Sequence, residues 1–238
     1  MNTNEDFLQT RPATALRPLL GLTVLVVEDS RFACEALRLL CLRSGARIRR
    51  ADSLYHASQH LKVYRPCVLI VDVGLPDGDG TELIEKMSVS MPRSDVILGI
   101  SGDPNLEQDV LAAGANGFLP KPFASIGEFQ NAILKHLPAN RQPPGPRLVN
   151  DEKIKPDMIA YHDDLTHVAQ FLENDEGEKT IDYLTQFLSG IARSVDDDEL
   201  DGAVPALSEK RSNGEPLRPQ INTLAAIVQT RLASAGPI

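Results

Sequence analysis

The sequence predicts two architectures in one chain: an α/β part built on a doubly wound five-stranded parallel sheet, followed by an all-α, antiparallel four-helix bundle. Three observations predict this. Short apolar, β-branched runs alternate with helical periodicity as far as about residue 138, the pattern of a parallel sheet covered on both faces. Four prolines and a glycine lie between Pro138 and Asn150, a composition that favours an extended, semi-rigid linker. Beyond it, apolar residues recur mainly at spacings of three and four, as bundle seams do. The implied division is a flexible lead-in over 1–20, an α/β domain over 21–138, a linker over 139–150 and an acidic helical domain over 151–238.

The elements follow in order. Thr23–Val27 is an apolar run ending in Glu28-Asp29. Arg31–Arg43 is a helix with Ala33, Leu37, Leu40 and Cys41 on one face. Ala46–Ala51 carries three arginines and suits an edge strand. Ser53 is placed to cap a helix that turns Leu54, Ala57 and Leu61 inward. Val68–Val71 is the most apolar run and ends in Asp72; Gly74 and Pro76 then turn the chain. Asp77-Gly-Asp-Gly80 leads into a helix over Thr81–Met91. Val96–Ile100 ends in Ser101, and a helix over Pro104–Ala113 begins with a proline suited to its first turn. Gly117–Pro120 runs into Lys121-Pro122, and Phe123–Leu137 is the last helix of this half. It turns Ile126, Phe129, Ile133, Leu134 and Leu137 to the sheet.

In a parallel α/β sheet the strands' carboxyl ends open onto the ligand crevice. That edge therefore collects Glu28, Asp29, Asp72, Ser101 and Lys121. Clustered carboxylates repel one another and favour a hard cation, here magnesium with several waters retained. The ammonium and the hydroxyl suit a phosphate oxygen. The residues point to metal-assisted phosphoryl transfer with Asp72 as nucleophile.

These residues also carry a resemblance. Val-Glu28-Asp29-Ser, Ile-Val-Asp72-Val-Gly-Leu-Pro, Gly80, Gly-Ile-Ser101-Gly and Phe118-Leu-Pro-Lys121-Pro122-Phe resemble, in order and spacing, the receiver domain of two-component response regulators. The resemblance covers about residues 20–137 and implies a flavodoxin-like fold. It implies that Asp72 is phosphorylated by a histidine kinase or phosphotransfer protein. Glu28, Asp29, Asp72 and the Gly74 carbonyl would hold Mg2+. Lys121 would pair with the Asp72 carboxylate, Ser101 would bind the phosphoryl group, and Phe118 would turn inward as Ser101 moves. A cis peptide between Lys121 and Pro122 is implied too.

The second half reads as four amphipathic helices. Ile154, Met158, Tyr161, Leu165, Val168 and Leu172 form one seam, and Ile181, Leu184, Leu188, Ile191 and Val195 another. Asp196 and Glu199 suggest a capping box before a helix holding Leu200, Ala203 and Leu207; Leu217, Ile221, Leu224, Val228 and Leu232 mark the fourth helix. The run Gln186-Phe-Leu188-Ser-Gly190, with Leu200, Leu207 and Glu209, resembles a histidine phosphotransfer domain. Gln186 stands at the position of that family's phosphorylated histidine, and Ser189 at its usual lysine. Glutamine cannot relay a phosphoryl group, so the resemblance implies a degenerate module that binds partners. An unrelated bundle is the other reading. Gln186 lies off the seam and is expected to face solvent; His162 and His167 are expected at the surface.

Composition narrows the function. Residues 1–150 carry 16 basic and 16 acidic side chains and residues 151–238 carry 8 and 17, so the whole net charge of −9 lies in the helical half. That field opposes phosphate backbones, so nucleic acid is not an expected partner. No apolar run approaches the ~20 residues of a membrane span, and Met1–Arg11 has no hydrophobic signal core. The expected location is the cytoplasm. Cys34, Cys41 and Cys67 lack metal spacing and read as core residues; His56 and His60 read as a solvated face. The expectation is a response regulator that switches protein contacts of its helical domain, or its own dimerisation, and not an enzyme on separate substrates. Glycine at position 74 leaves no second acid to protonate a leaving group. The alternatives are a transcription regulator with a DNA-binding output and a phosphorelay shuttle.

Overall fold

In the computed structural model, the described residues are 13–123, 125–145, 149–173 and 178–234. The first part runs β1 (Thr23–Val27), α1 (Arg31–Ser44), β2 (Arg47–Ala51), α2 (Leu54–Val63) and β3 (Val68–Asp72). A two-residue hairpin follows, β4 (Gly74–Leu75) and β5 (Gly78–Asp79), then α3 (Gly80–Ser88) and β6 (Val96–Ser101). A 3₁₀ turn over Pro104–Leu106 leads into α4 (Glu107–Ala112), then β7 (Gly117–Pro120) and α5 (Ile126–Leu134). The main sheet has five parallel strands in the order β2-β1-β3-β6-β7. This is the doubly wound sheet the apolar runs predict, with β2 and its arginines at an edge.

Burial explains the strand composition. Every residue of β3 and β6 is buried, as strands covered on both faces require. One face packs Val24, Val26, Ile70 and Leu98 under α1 and α5. The other packs Leu25, Leu69, Val71 and Ile97 under α2, α3 and α4. Serine or aspartate side chains accept from the first-turn amides of α1 (Ser30), α2 (Ser53), α3 (Asp79) and α5 (Ser125). The β4–β5 hairpin supplies more: Asp77 accepts from the Leu54 and Tyr55 amides at 2.8 and 2.9 Å, tying the turn after β3 to the start of α2.

The second part comprises α6 (Met158–Glu173), α7 (Glu178–Ser194), α8 (Asp198–Ser212) and α9 (Arg218–Ser234). Tyr161, Leu165, Leu184, Leu188, Leu200 and Leu224 are buried in its core. Asp197 rather than Asp196 caps α8, accepting from Leu200 N at 3.1 Å. Asp196 adopts φ +56° and turns the chain from α7.

Three expectations change. Most of the lead-in lies outside the described residues, but its end packs: Leu19 is fully buried and its amide bonds the Ser44 carbonyl at 2.9 Å. The chain at the end of the proline-rich segment, read as a semi-rigid linker, is anchored, with Gly127 N donating to Asn150 O at 2.7 Å and Ile126 N to Glu152 O at 3.1 Å. Ile154 therefore packs against the sheet core and not in the α6 seam.

Gly80 is where the sheet and α3 meet most closely. A Cβ there would sit 1.9 Å from the Asp72 carbonyl oxygen. Gly80→Ala is expected to cost about 1–3 kcal/mol through this overpacking, measured by urea denaturation; an unchanged midpoint would mean the backbone yields freely.

Candidate functional site

β1, β3, β6 and β7 deliver their terminal residues to one edge. Glu28 and Asp29 follow β1, Asp72 ends β3, Ser101 ends β6, and Lys121 follows β7. Lys121 Nζ lies 2.6 Å from Glu28 Oε2 and 3.1 Å from Asp72 Oδ2. The Lys121–Pro122 peptide is cis. Ser101 is fully buried, and its Oγ accepts from Asp103 N at 3.1 Å. Phe118 is half-buried on β7 against the α4 side of the sheet. The structure thus brings Glu28, Asp29, Asp72, Ser101 and Lys121 together and sets Phe118 on the neighbouring strand.

Crowding sets the electrostatics. Burial pushes the Asp72 carboxyl well above the usual range, opposed chiefly by the Lys121 ammonium. Burial and the neighbouring Glu28 push Asp29 up to about 7. Burial disfavours charge on Lys121, but Asp72 and Glu28 outweigh it and hold the ammonium protonated. Cys34 and Cys41 are free and buried, and burial raises both thiols, that of Cys41 to about 12. They are core residues, unsuited to redox exchange.

The acid cluster suits a divalent cation. One oxygen from each of Glu28, Asp29 and Asp72 lies within 4.8 Å of the others. Asp29 Oδ1 and Asp72 Oδ1 are buried with no hydrogen-bond partner among the described residues. Buried unpaired carboxylate oxygens are costly, and a hard cation with oxygen ligands relieves that cost. Magnesium fits this donor set, with Gly74 at the rim.

The helical half reaches the same place. Gln186 lies off the α7 seam, yet it does not face solvent. Its Nε2 is 3.4 Å from Ser101 Oγ, and its carboxamide lies against Gly74. Tyr183 donates to Asp29 Oδ2. Asp164 of α6 is buried and accepts from Ser30 Oγ at 2.8 Å, Arg31 N at 2.8 Å and Phe32 N at 3.0 Å. Sequence reasoning missed Tyr183, Asp164 and Phe32. The signal was α1 itself: Phe32 lies off the Ala33–Leu37–Leu40–Cys41 face, so apolar residues occupy two sides of the helix and each side needs a neighbour. Ser189 bonds Asp201 at 2.8 Å within the bundle. His56 is exposed beside Asp52, His162 is half-buried, and His167 is exposed and packs edge-on to Phe171.

A parallel α/β sheet with carboxylates, a hydroxyl and an ammonium at its carboxyl edge defines a receiver-type module. Residues 24–133 match the family model for the response regulator receiver domain, and this segment belongs to that family. The KDP operon transcriptional regulatory protein KdpE of Escherichia coli K12 is 34% identical over 107 residues, 45% of this chain and 47% of that protein. The transcriptional regulatory protein PhoP of Escherichia coli O6:H1 is 35% identical over 103 residues, 42% of this chain and 45% of that protein. This chain thus spans about half the length of these relatives. Among solved structures, the chemotaxis response regulator CheY4 of Vibrio cholerae is 25% identical, with TM-score 0.41 over 48% of this chain and 93% of that one. Among the described residues, no helix is long and apolar enough to cross a membrane.

The raised Asp29 value sets a pH dependence. Its ordinary value is 3.8 and its folded value about 7. The fold therefore holds a proton that the unfolded chain releases; this stabilising contribution is complete below 3.8 and lost as pH rises through about 7. A cation must displace that proton, so magnesium affinity should be roughly tenfold weaker near pH 6 than near pH 8. Calorimetric titration giving equal affinities would remove Asp29 from the ligand set.

Proposed function

We propose that the chain is a response regulator of a phosphorelay in which Asp72 accepts a phosphoryl group from a histidine kinase or phosphotransfer protein. One observation carries the reading: a buried carboxylate, one oxygen unpaired among the described residues and the other 3.1 Å from a protonated lysine, stands beside two further acids able to hold a cation. A carboxylate oxygen of Asp72 attacks phosphorus. The phosphorus–nitrogen bond of the donor phosphohistidine breaks, and the departing imidazole nitrogen keeps the electron pair and takes up a proton. Lys121 balances charge on the transferred oxygens. Glu28, Asp29, Asp72 and the Gly74 carbonyl would hold magnesium, which would supply further charge neutralisation.

The product carries about −1.5 to −2 charges at the edge of β3. Ser101 moves to donate to it, and Phe118 turns into the space left, changing the α4–β7–α5 surface. The helical half is read as a degenerate phosphotransfer bundle that binds partners, since Gln186 has no nucleophilic nitrogen at neutral pH. Its net charge of −9 disfavours a DNA-binding output. KdpE and PhoP are transcriptional regulators by name, but their similarity covers under half of this chain. The protein acts on no separate substrate.

Acetyl phosphate with magnesium should add one base-labile phosphoryl group to the full chain, and Asp72→Asn should abolish it because an amide is not a nucleophile. Mass spectrometry that found equal labelling of Asp72→Asn, or label on a histidine, would overturn the reading.

A further inference from the structure

The contacts that seat α6 and α7 converge on the exit from Asp72. Asp164 holds the N-terminus of α1, a favourable place for a carboxylate. Phe32 of α1 is 4% exposed and buried in the bundle's apolar cluster, edge-on to Tyr161 at 6.1 Å. Arg193 Nη1 donates to the Gly102 carbonyl at 2.8 Å. Two glycines of the α/β half permit this approach: a Cβ on Gly102 would lie 3.2 Å from Gly190 Cα, and one on Gly74 would lie 2.5 Å from Gln186 Cδ. At these points the two surfaces are in direct contact.

Little space remains between them. The cavity bounded by Asp72, Lys121, Gly74 and Gln186 holds about 20 Å³, room for a single water. A phosphoryl group with three oxygens and an incoming imidazole does not enter it. A separate cleft of about 710 Å³ reaches Glu28 and Asp29 from outside but is not lined by Asp72. Among the described residues, a small cation can reach Glu28 and Asp29 through this cleft, whereas the space at Asp72 itself is too small for a phosphodonor.

We propose that the Asp72 face of the receiver domain is an intramolecular binding surface for α6 and α7, which act as a cap in cis. The cap competes with the phosphohistidine donor and is released when Asp72 is phosphorylated. This rests on Asp72 being the phosphoacceptor. The occupied surface comprises the first turn of α1, Gly74 and Gly102. A donor must take this surface and present its reacting nitrogen where the Gln186 carboxamide lies. Coupling is reciprocal: as docking slows phosphorylation, phosphorylation loosens docking.

Acetyl phosphate tests this because it needs no protein surface. Asp164→Ala removes the three bonds to α1, whose own cap remains through Ser30. Gly102→Val wedges a branched side chain against Gly190. Each should raise the labelling rate of the full chain roughly tenfold, a shift of about 1.4 kcal/mol against the closed state. The unsubstituted chain gives an independent reading: with beryllofluoride and magnesium, the Arg31 and Phe32 amides, now bonded to Asp164, should exchange faster. Equal labelling rates in wild type and both variants, with wild-type amide exchange unchanged by beryllofluoride, would overturn the cap while leaving the response-regulator reading intact. Absence of Asp72 labelling in every chain would remove both.

Discussion

Three carboxylates gathered around one ammonium is the constraint on which the rest depends. Lys121 sits within 3.1 Å of two of them, with almost no access to water. Such a cluster stays folded only if its strands hold it rigidly and its charge can be rebalanced. The sheet supplies the rigidity, because β3 and β6 are buried along their whole length. The rebalancing comes from outside the sheet: a proton on Asp29, a cation among the acids, or the phenolic hydroxyl of Tyr183. Each relieves the same crowding, and each implies a different state of the protein.

The helical half is part of the site's electrostatics. Tyr183 offers Asp29 a neutral donor, which lessens the need for a cation without adding charge. Gln186 brings a carboxamide, able to donate and accept but not to ionise, to the mouth of the cluster. A histidine there would bring a titratable cation to the same acids. The chemistry at residue 186 thus separates a group that can carry phosphate from one that can only occupy its path.

The α/β half was legible because its signals are local. Val68–Val71 announces a buried strand, and an acid ending such a run must lie at the sheet's carboxyl edge. Glu28, Ser101 and Lys121 followed by the same reasoning. In the bundle, the Leu184–Leu188–Ile191 seam was legible too. The docking of the halves was not. The helical wheel excludes Gln186 from the seam, but periodicity does not distinguish water from a second protein surface. Asp164 reads as one more acid in an acidic helix, although it meets α1 across 132 to 134 residues of sequence. The proline-rich composition at 138–150 pointed to a spacer, whereas Asn150 and Glu152 bond back to the start of α5. Backbone pairing outweighs composition there.

Phe32 has a consequence for what counts as a unit of this protein. It belongs by chain position to α1 of the sheet, yet it fills the core of the bundle. A boundary drawn at the linker cuts through a hydrophobic core and not between two. Residues 151–238 expressed alone would carry an aromatic-sized hole lined by Tyr161 and its neighbours, and the sheet half alone would display a phenyl ring to water. The two halves are therefore unequal to independent modules joined by a tether. They are joined through that ring, and any rearrangement that parts them must find new cover for it.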